Sequence, residues 1–156
     1  MIQHAMIEIQ SPKTIPTTAV PKIFLAGSIE MGIADEWQAR VIVRLKNEEV
    51  AVLNPRRSDW NASWKQHKDD PMFRQQVEWE LNALDASDYI ILYLDPHTKS
   101  PVSLLEMGLH ARSGKLFVVC PDGFWRKGNV DIVCEKYSIP QFASLDLLLD
   151  HLIGLF

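Results

Sequence analysis

Nowhere in its 156 residues does this chain hold an apolar run of the ~20 residues that crossing a bilayer takes, so no membrane span is expected. No basic stretch followed by an apolar segment opens the sequence, and no secretory leader is expected. Cysteine is scarce as well. Cys120 and Cys134 are too few and too hydrophobic in context for a disulfide framework, which points to a reducing, cytoplasmic setting. The Asn61-Ala62-Ser63 sequon has no meaning there. His4, His67, His97, His110 and His151 are dispersed, and neither H-x-x-x-H nor C-x-x-C occurs, so no zinc site is expected. A net charge of −4 with no basic stripe argues against a nucleic-acid polymer as partner.

What remains is 47% hydrophobic content, enough for one soluble domain with a full core. Residues 1–20 carry Ser11-Pro12, Ile15-Pro16 and Thr17-Thr18 without a sustained period and read as a loose N-terminal extension. From residue 21 to 156 the element types alternate. Apolar runs at Lys22–Ala26, Val50–Leu53, Tyr89–Leu94 and Leu116–Cys120 read as buried strands, with a short edge strand around Tyr137–Phe142. Helices are expected after Asp35 to about Asn47, from Pro71 to Ala86 on a stripe of Phe73, Val77, Leu81 and Leu84, from Ser103 to Ser113, and after Ser144. Gly114 suits the left-handed position behind the third of these. Alternation of this kind predicts a doubly wound α/β fold, Rossmann- or flavodoxin-like, with four to five mainly parallel strands and helices on both faces. Ligands then bind beyond the strand C-terminal ends, where Gly27-Ser28, Asn54-Pro55-Arg56, Asp95 onward and Pro121-Asp122 collect.

Two acids look misplaced in that frame. Glu106 lies in an apolar helix between Val102, Leu105 and Leu109, and a carboxylate there is costly to bury without a partner. Two readings stand on local pattern. Ser103 and Glu106 match a capping box, whereas a helix starting at Ser100-Pro101 leaves Glu106 a turn further in, capping nothing. His110, one turn on, is within reach of Glu106 and reads as a packed or surface side chain. Glu80 shares a helix face with Val77 and Leu84, and its helix flanks the same strand as that of Glu106. It reads either as a solvated boundary acid or as a second carboxylate. Two acids in an apolar pocket separate their pKa values, so that one attacks while the other holds a proton. Retaining glycosyl-transfer enzymes use such a pair roughly 5 Å apart.

The loops add weaker signals. Gly27 to Gly32 resembles a phosphate-cradling turn but fits neither G-x-G-x-x-G nor the Walker pattern. Arg56, Arg57, Asp59, Trp60 and Trp64 offer an aromatic, polar surface suited to a planar base. Asn129 follows the fourth strand in a loop that can reach a neighbouring subunit.

Taken together, Ile23–Ser28, Asn54–Arg57, Trp79-Glu80-Leu81 through Asp88, Leu105–Gly108 and Pro121 through Asn129 resemble the nucleoside 2-deoxyribosyltransferase superfamily, including its deoxynucleoside-monophosphate N-hydrolase branch. The resemblance implies that Glu106 attacks C1′ and that Glu80 fills the slot of a companion acid that is usually aspartate. It implies that Asn129 contacts the sugar across a homo-oligomer interface, that Phe24 replaces a tyrosine near the nucleophile, and that Ser100 stands where phosphate-binding members carry serine. Gly27, Ser28, Phe24, Arg56, Asp59, Trp60, Ser100 and Asn129 are therefore the expected substrate-binding set. The expected activity is base exchange on nucleosides, with free nucleobases as co-substrates and no metal or cofactor. An N-glycoside hydrolase on the same intermediate is the first alternative. A non-catalytic nucleotide-sensing module is the second.

Overall fold

Residues 5–29, 36–57, 59 and 63–156 are described by a computed structural model. The apolar runs become strands: β1 (Ile7–Gln10), β2 (Lys22–Gly27), β3 (Ala51–Asn54), β4 (Tyr89–Tyr93), β5 (Leu116–Val119) and β6 (Gln141–Phe142). They form one parallel six-stranded sheet in the order β1-β3-β2-β4-β5-β6. The doubly wound α/β reading holds, with one or two strands more than expected.

The extra strand is β1, drawn from the segment read as a loose extension. Its residues alternate, Ile9 entering the core while Ile7 stays exposed, so a single buried side chain gives almost no periodic signal. Ladder bonds to β3 hold it, in register Ile9 opposite Leu53.

Helices α1 (Trp37–Leu45) and α5 (Leu145–Ile153) cover one sheet face, and α2 (Pro71–Ala86), α3 (Pro101–His110) and α4 (Lys127–Tyr137) the other. Ile23 and Leu25 pack with Trp37, Val41 and Leu149 on the first face; Phe24 and Ala26 point to Trp79, Ala83 and Met107 on the second. Both faces of the central strands are therefore dry, as a parallel sheet requires. Asp70 caps α2 by accepting from the Met72 and Phe73 backbone N–H groups, and Ser144 caps α5 through Leu147 N–H. Asp35, expected to cap α1, lies outside the described residues; Gly114 does take a left-handed φ of 76° after α3.

Three details depart from the sequence reading. Leu81, placed on the buried stripe of α2, is exposed, and the stripe is Gln76, Trp79, Ala83 and Leu84. Val102, Leu105 and Leu109 are exposed too, 56%, 64% and 58%; α3 presents Met107 to the core and a second apolar stripe outward. The stretch around Asn129 is not a loop but the first turn of α4, which runs to Tyr137 and leaves only Gln141-Phe142 for the edge strand. Val130 and Cys134, one turn apart, are its only buried residues, too sparse a pattern to announce a helix.

Glycine is required at the end of β2. Gly27 has φ 140°, and a Cβ there would stand 2.1 Å from the Tyr93 carbonyl oxygen and 3.0 Å from the Trp37 ring. Gly108, in α3, has open space around its Cα. Gly27→Ala should therefore lose about 3 kcal/mol or more of stability, and Gly108→Ala gain about 0.5–1 kcal/mol, with urea unfolding of both as the check.

Candidate active site

The chain leaves β2 towards β3 on one side and returns to β4 on the other, so the sheet has its switch point where the C-terminal ends of β2 and β4 part. A cavity of about 510 Å³ opens there. Gly27 forms its floor on β2; Arg56 and Arg57 enter from the loop after β3, Gln76 and Glu80 from α2, and Ser103 from the first turn of α3. The α2 contribution is one helical face, Phe73, Gln76, Val77 and Glu80, at i, i+3, i+4 and i+7.

Pro101 occupies the first position of α3 and Ser100 its cap, which decides between the two readings of Glu106. The acid sits in the second turn, beyond reach of the free N-terminal amides, and caps nothing. It is 9% exposed and makes no hydrogen bond or ion pair with any described residue. No sealed side-chain oxygen lacks a partner among the described residues, so the Glu106 oxygens keep an opening to solvent. Ser103, one turn before it, lines the cavity, whereas Glu106 itself is not on its wall.

Burial of Glu106, with the Glu80 charge beside it, pushes its carboxyl up to about 8. Burial likewise lifts Glu80 to about 7, against the opposing pull of a hydrogen bond donated by Gln76 Nε2 to its Oε1 at 3.2 Å. The two acids are thus neighbours in a poorly hydrated place, and burial favours the protonated form of each. His110 does not neutralise Glu106; its pKa is lowered, chiefly by burial.

A second cluster joins the two strand ends. The hydroxyls of Ser28, Thr98 and Ser100 form a closed ring with separations of 2.9, 2.6 and 2.7 Å. Ser28 Oγ also accepts from the Asp95 backbone N–H at 2.8 Å, and Thr98 donates to the Asp95 carbonyl. The ring holds Ser100 in a left-handed conformation, φ 46° and ψ 53°, which costs about 1–3 kcal/mol for a non-glycine residue. That backbone turn aims the start of α3 into the cavity.

The expected substrate-binding residues separate into groups. Gly27, Arg56 and Ser100 line the cavity, and Ser28 lies just behind it in the hydroxyl ring. Phe24 does not reach it: fully buried, it packs in the core with its ring 6.5 Å from that of Trp79. Asp59 is engaged by Arg57, whose Nε and Nη2 donate to its two oxygens at 2.8 and 2.7 Å. The same bonds hold Asp59 below the usual carboxylate range. Trp60 lies outside the described residues. Asn129 is exposed on α4 and does not line the cavity of its own chain. Phe73 and Ser103, which the sequence offers as a stripe residue and a helix cap, line the cavity, and so does Gln76, for which its spacing from Glu80 is the usable signal. Among the described residues no group of three or more His, Cys, Asp or Glu side chains is arranged to hold a metal ion. No helix among them is long and apolar enough to cross a membrane.

An open parallel sheet with two adjacent carboxyls at its switch point defines a Rossmann-like α/β protein built for acid–base or nucleophilic work. The chain matches the family model described as "Nucleoside 2-deoxyribosyltransferase like" over residues 20–124, a span that includes β2 to β5 and both glutamates, and it belongs to that family of enzymes. A solved structure described as a conserved protein from Enterococcus faecalis V583 is 18% identical, with 88% of each chain covered and a TM-score of 0.48. Comparison with curated proteins gives no match.

The raised acids have a sign for stability. Both folded-state values lie above the ordinary 4.5, so between that value and about 8 the folded protein holds more protons than the unfolded one. Stability from this pair is full at low pH and falls as pH rises through 7 to 8. Glu106→Gln should flatten that fall, measured as the urea midpoint across the pH range.

Proposed function

We propose that the protein is a nucleoside 2′-deoxyribosyltransferase that exchanges bases through a glycosyl ester on Glu106. The observation that carries this reading is the buried Glu106–Glu80 pair, without a cation among the described residues and with Glu80 on the wall of the cavity at the sheet switch point. A binding module gains nothing from two adjacent desolvated carboxyls, whereas a double displacement needs both.

In the free protein burial and the neighbouring Glu80 charge favour the protonated form of Glu106. Binding of a sugar favours its carboxylate instead, because positive charge developing at C1′ stabilises the carboxylate that faces it. The proton passes to Glu80, a Glu106 oxygen forms a bond to C1′, and the C1′–N bond breaks with its electron pair leaving on the base. Glu80 returns the proton to that base. A second base then loses its N–H proton to Glu80 and attacks C1′; the ester C–O bond breaks and the Glu106 carboxylate is regenerated. Water in place of the second base gives the hydrolase outcome. Arg57, its fork closed on Asp59, is not poised for a phosphate, which favours a nucleoside over a nucleotide.

The site is completed, on this reading, by a second copy of the chain. Asn129 lies away from its own cavity, and the exposed stripe Val102, Leu105 and Leu109 adjoins it, an apolar surface fit for a homo-oligomer contact.

Incubation with a deoxynucleoside, with and without a free acceptor base, separates the outcomes: a new nucleoside marks transfer, free sugar marks hydrolysis, and an unchanged substrate rejects catalysis. Glu106→Ala should lower turnover by on the order of 10³-fold or more. Glu106→Ala and Asn129→Ala subunits, each impaired alone, should regain turnover when mixed, since one site of each hybrid is intact; failure to complement places Asn129 outside the site.

A further inference from the structure

Gln76 is 4% exposed, and every polar atom of its amide is spoken for. Its Nε2 donates to the Pro55 carbonyl at 2.8 Å and to Glu80 Oε1 at 3.2 Å. Its Oε1 accepts from the Ser11 hydroxyl at 2.6 Å. Turned over, the amide would set its oxygen against a carbonyl and a carboxylate, three acceptors facing one another, and the buried Ser11 hydroxyl would lose its acceptor. One orientation is therefore selected. Ser11 comes from far away in sequence, on the segment behind β1, where its own backbone N–H donates to the Asn54 carbonyl and Trp79 Nε1 donates to the Lys13 carbonyl.

We infer that Ser11 and Gln76 form a positioning relay for Glu80: the Ser11 hydroxyl sets which way round the Gln76 amide sits, and the amide N–H sets where the Glu80 carboxyl points. The N-terminal segment thereby acts on a proton-carrying group that it never touches. Its importance for turnover rests on the role given above to Glu80, but its existence does not.

The relay has an electrostatic consequence, because an N–H aimed at a carboxyl favours the charged form. The groups lining the cavity with Glu80 are the Gln76 amide from its own helix and Arg56 and Arg57 from the loop after β3, and the Glu106 carboxyl of α3 is near enough to feel the Glu80 charge. Arg57 is turned to Asp59 and Arg56 to Gln38 and Glu36, while burial and the Gln76 bond are what move Glu80. Gln76 thus keeps Glu80 ready to accept the proton of its neighbour.

The test is a carbon-13 NMR titration of protein labelled at the glutamate side-chain carboxyls, with the Glu80 signal assigned by its loss in Glu80→Gln. Gln76→Met should raise the Glu80 midpoint by about one pH unit, a tenfold change in proton affinity. Ser11→Ala should move it the same way by less, Ser11→Thr should keep the original midpoint, and Glu8→Ala, which removes only the β1 contact to Asn54 Nδ2, should leave it in place. Titration curves for Gln76→Met and Ser11→Ala that superimpose on the parent overturn the relay, as does an equal shift in Glu8→Ala. Where Gln76→Met melts below the working temperature, Ser11→Ala decides, since it leaves every cavity side chain intact. The readout does not use turnover: an inactive protein with shifted midpoints refutes the transferase reading alone, and an active one with unshifted midpoints refutes the relay alone.

Discussion

Desolvation of two neighbouring carboxyls is the constraint around which this molecule is arranged. Glu80 and Glu106 come from different helices, on either side of β4 in sequence, and neither is given a cation among the described residues. Folding must therefore supply from elsewhere what the pair costs. The supply is the two-faced core: central strands with dry side chains on both sides, packed against apolar side chains from all five helices. A protein selected for stability alone would place glutamine or leucine at these positions.

Local geometry around the pair is set by groups other than the two acids. Gly27 lets β2 pass against the Tyr93 backbone so closely that no side chain fits. The Ser28–Thr98–Ser100 ring holds a left-handed turn that points α3 at the cavity. Gln76 and Ser11 tie the acid of α2 to the edge of the sheet. The last two devices use polar side chains to meet backbone groups, Ser28 the Asp95 N–H and Gln76 the Pro55 carbonyl.

Much of this was legible in the chain. The buried strands appear as short apolar runs, α2 begins within its proline and aspartate signals, and Glu106 stands out because an acid on an apolar helix has no ordinary reason to be there. The limits have physical causes. α4 buries only Val130 and Cys134, so its period is faint, and β1 buries only Ile9. α3 is apolar on two sides, which made Val102, Leu105 and Leu109 look internal when only the Met107 side is. Phe24 was assigned to the ligand although alternation along β2 sends it into the core beside Trp79. The relay from Ser11 to Gln76 joins residues 65 apart, and no local pattern encodes such a pairing.

The hydroxyl ring also bears on how this fold can diverge. Thr98 and Ser100 must both return to Ser28, and Asp95 must offer it a backbone N–H, so the connection between β4 and α3 has a fixed number of residues. An insertion or deletion there would swing α3, the helix of Glu106, off axis. The turn before α2, pinned chiefly by Asp70, has no comparable ruler, so variation in length among descendants of this chain belongs there.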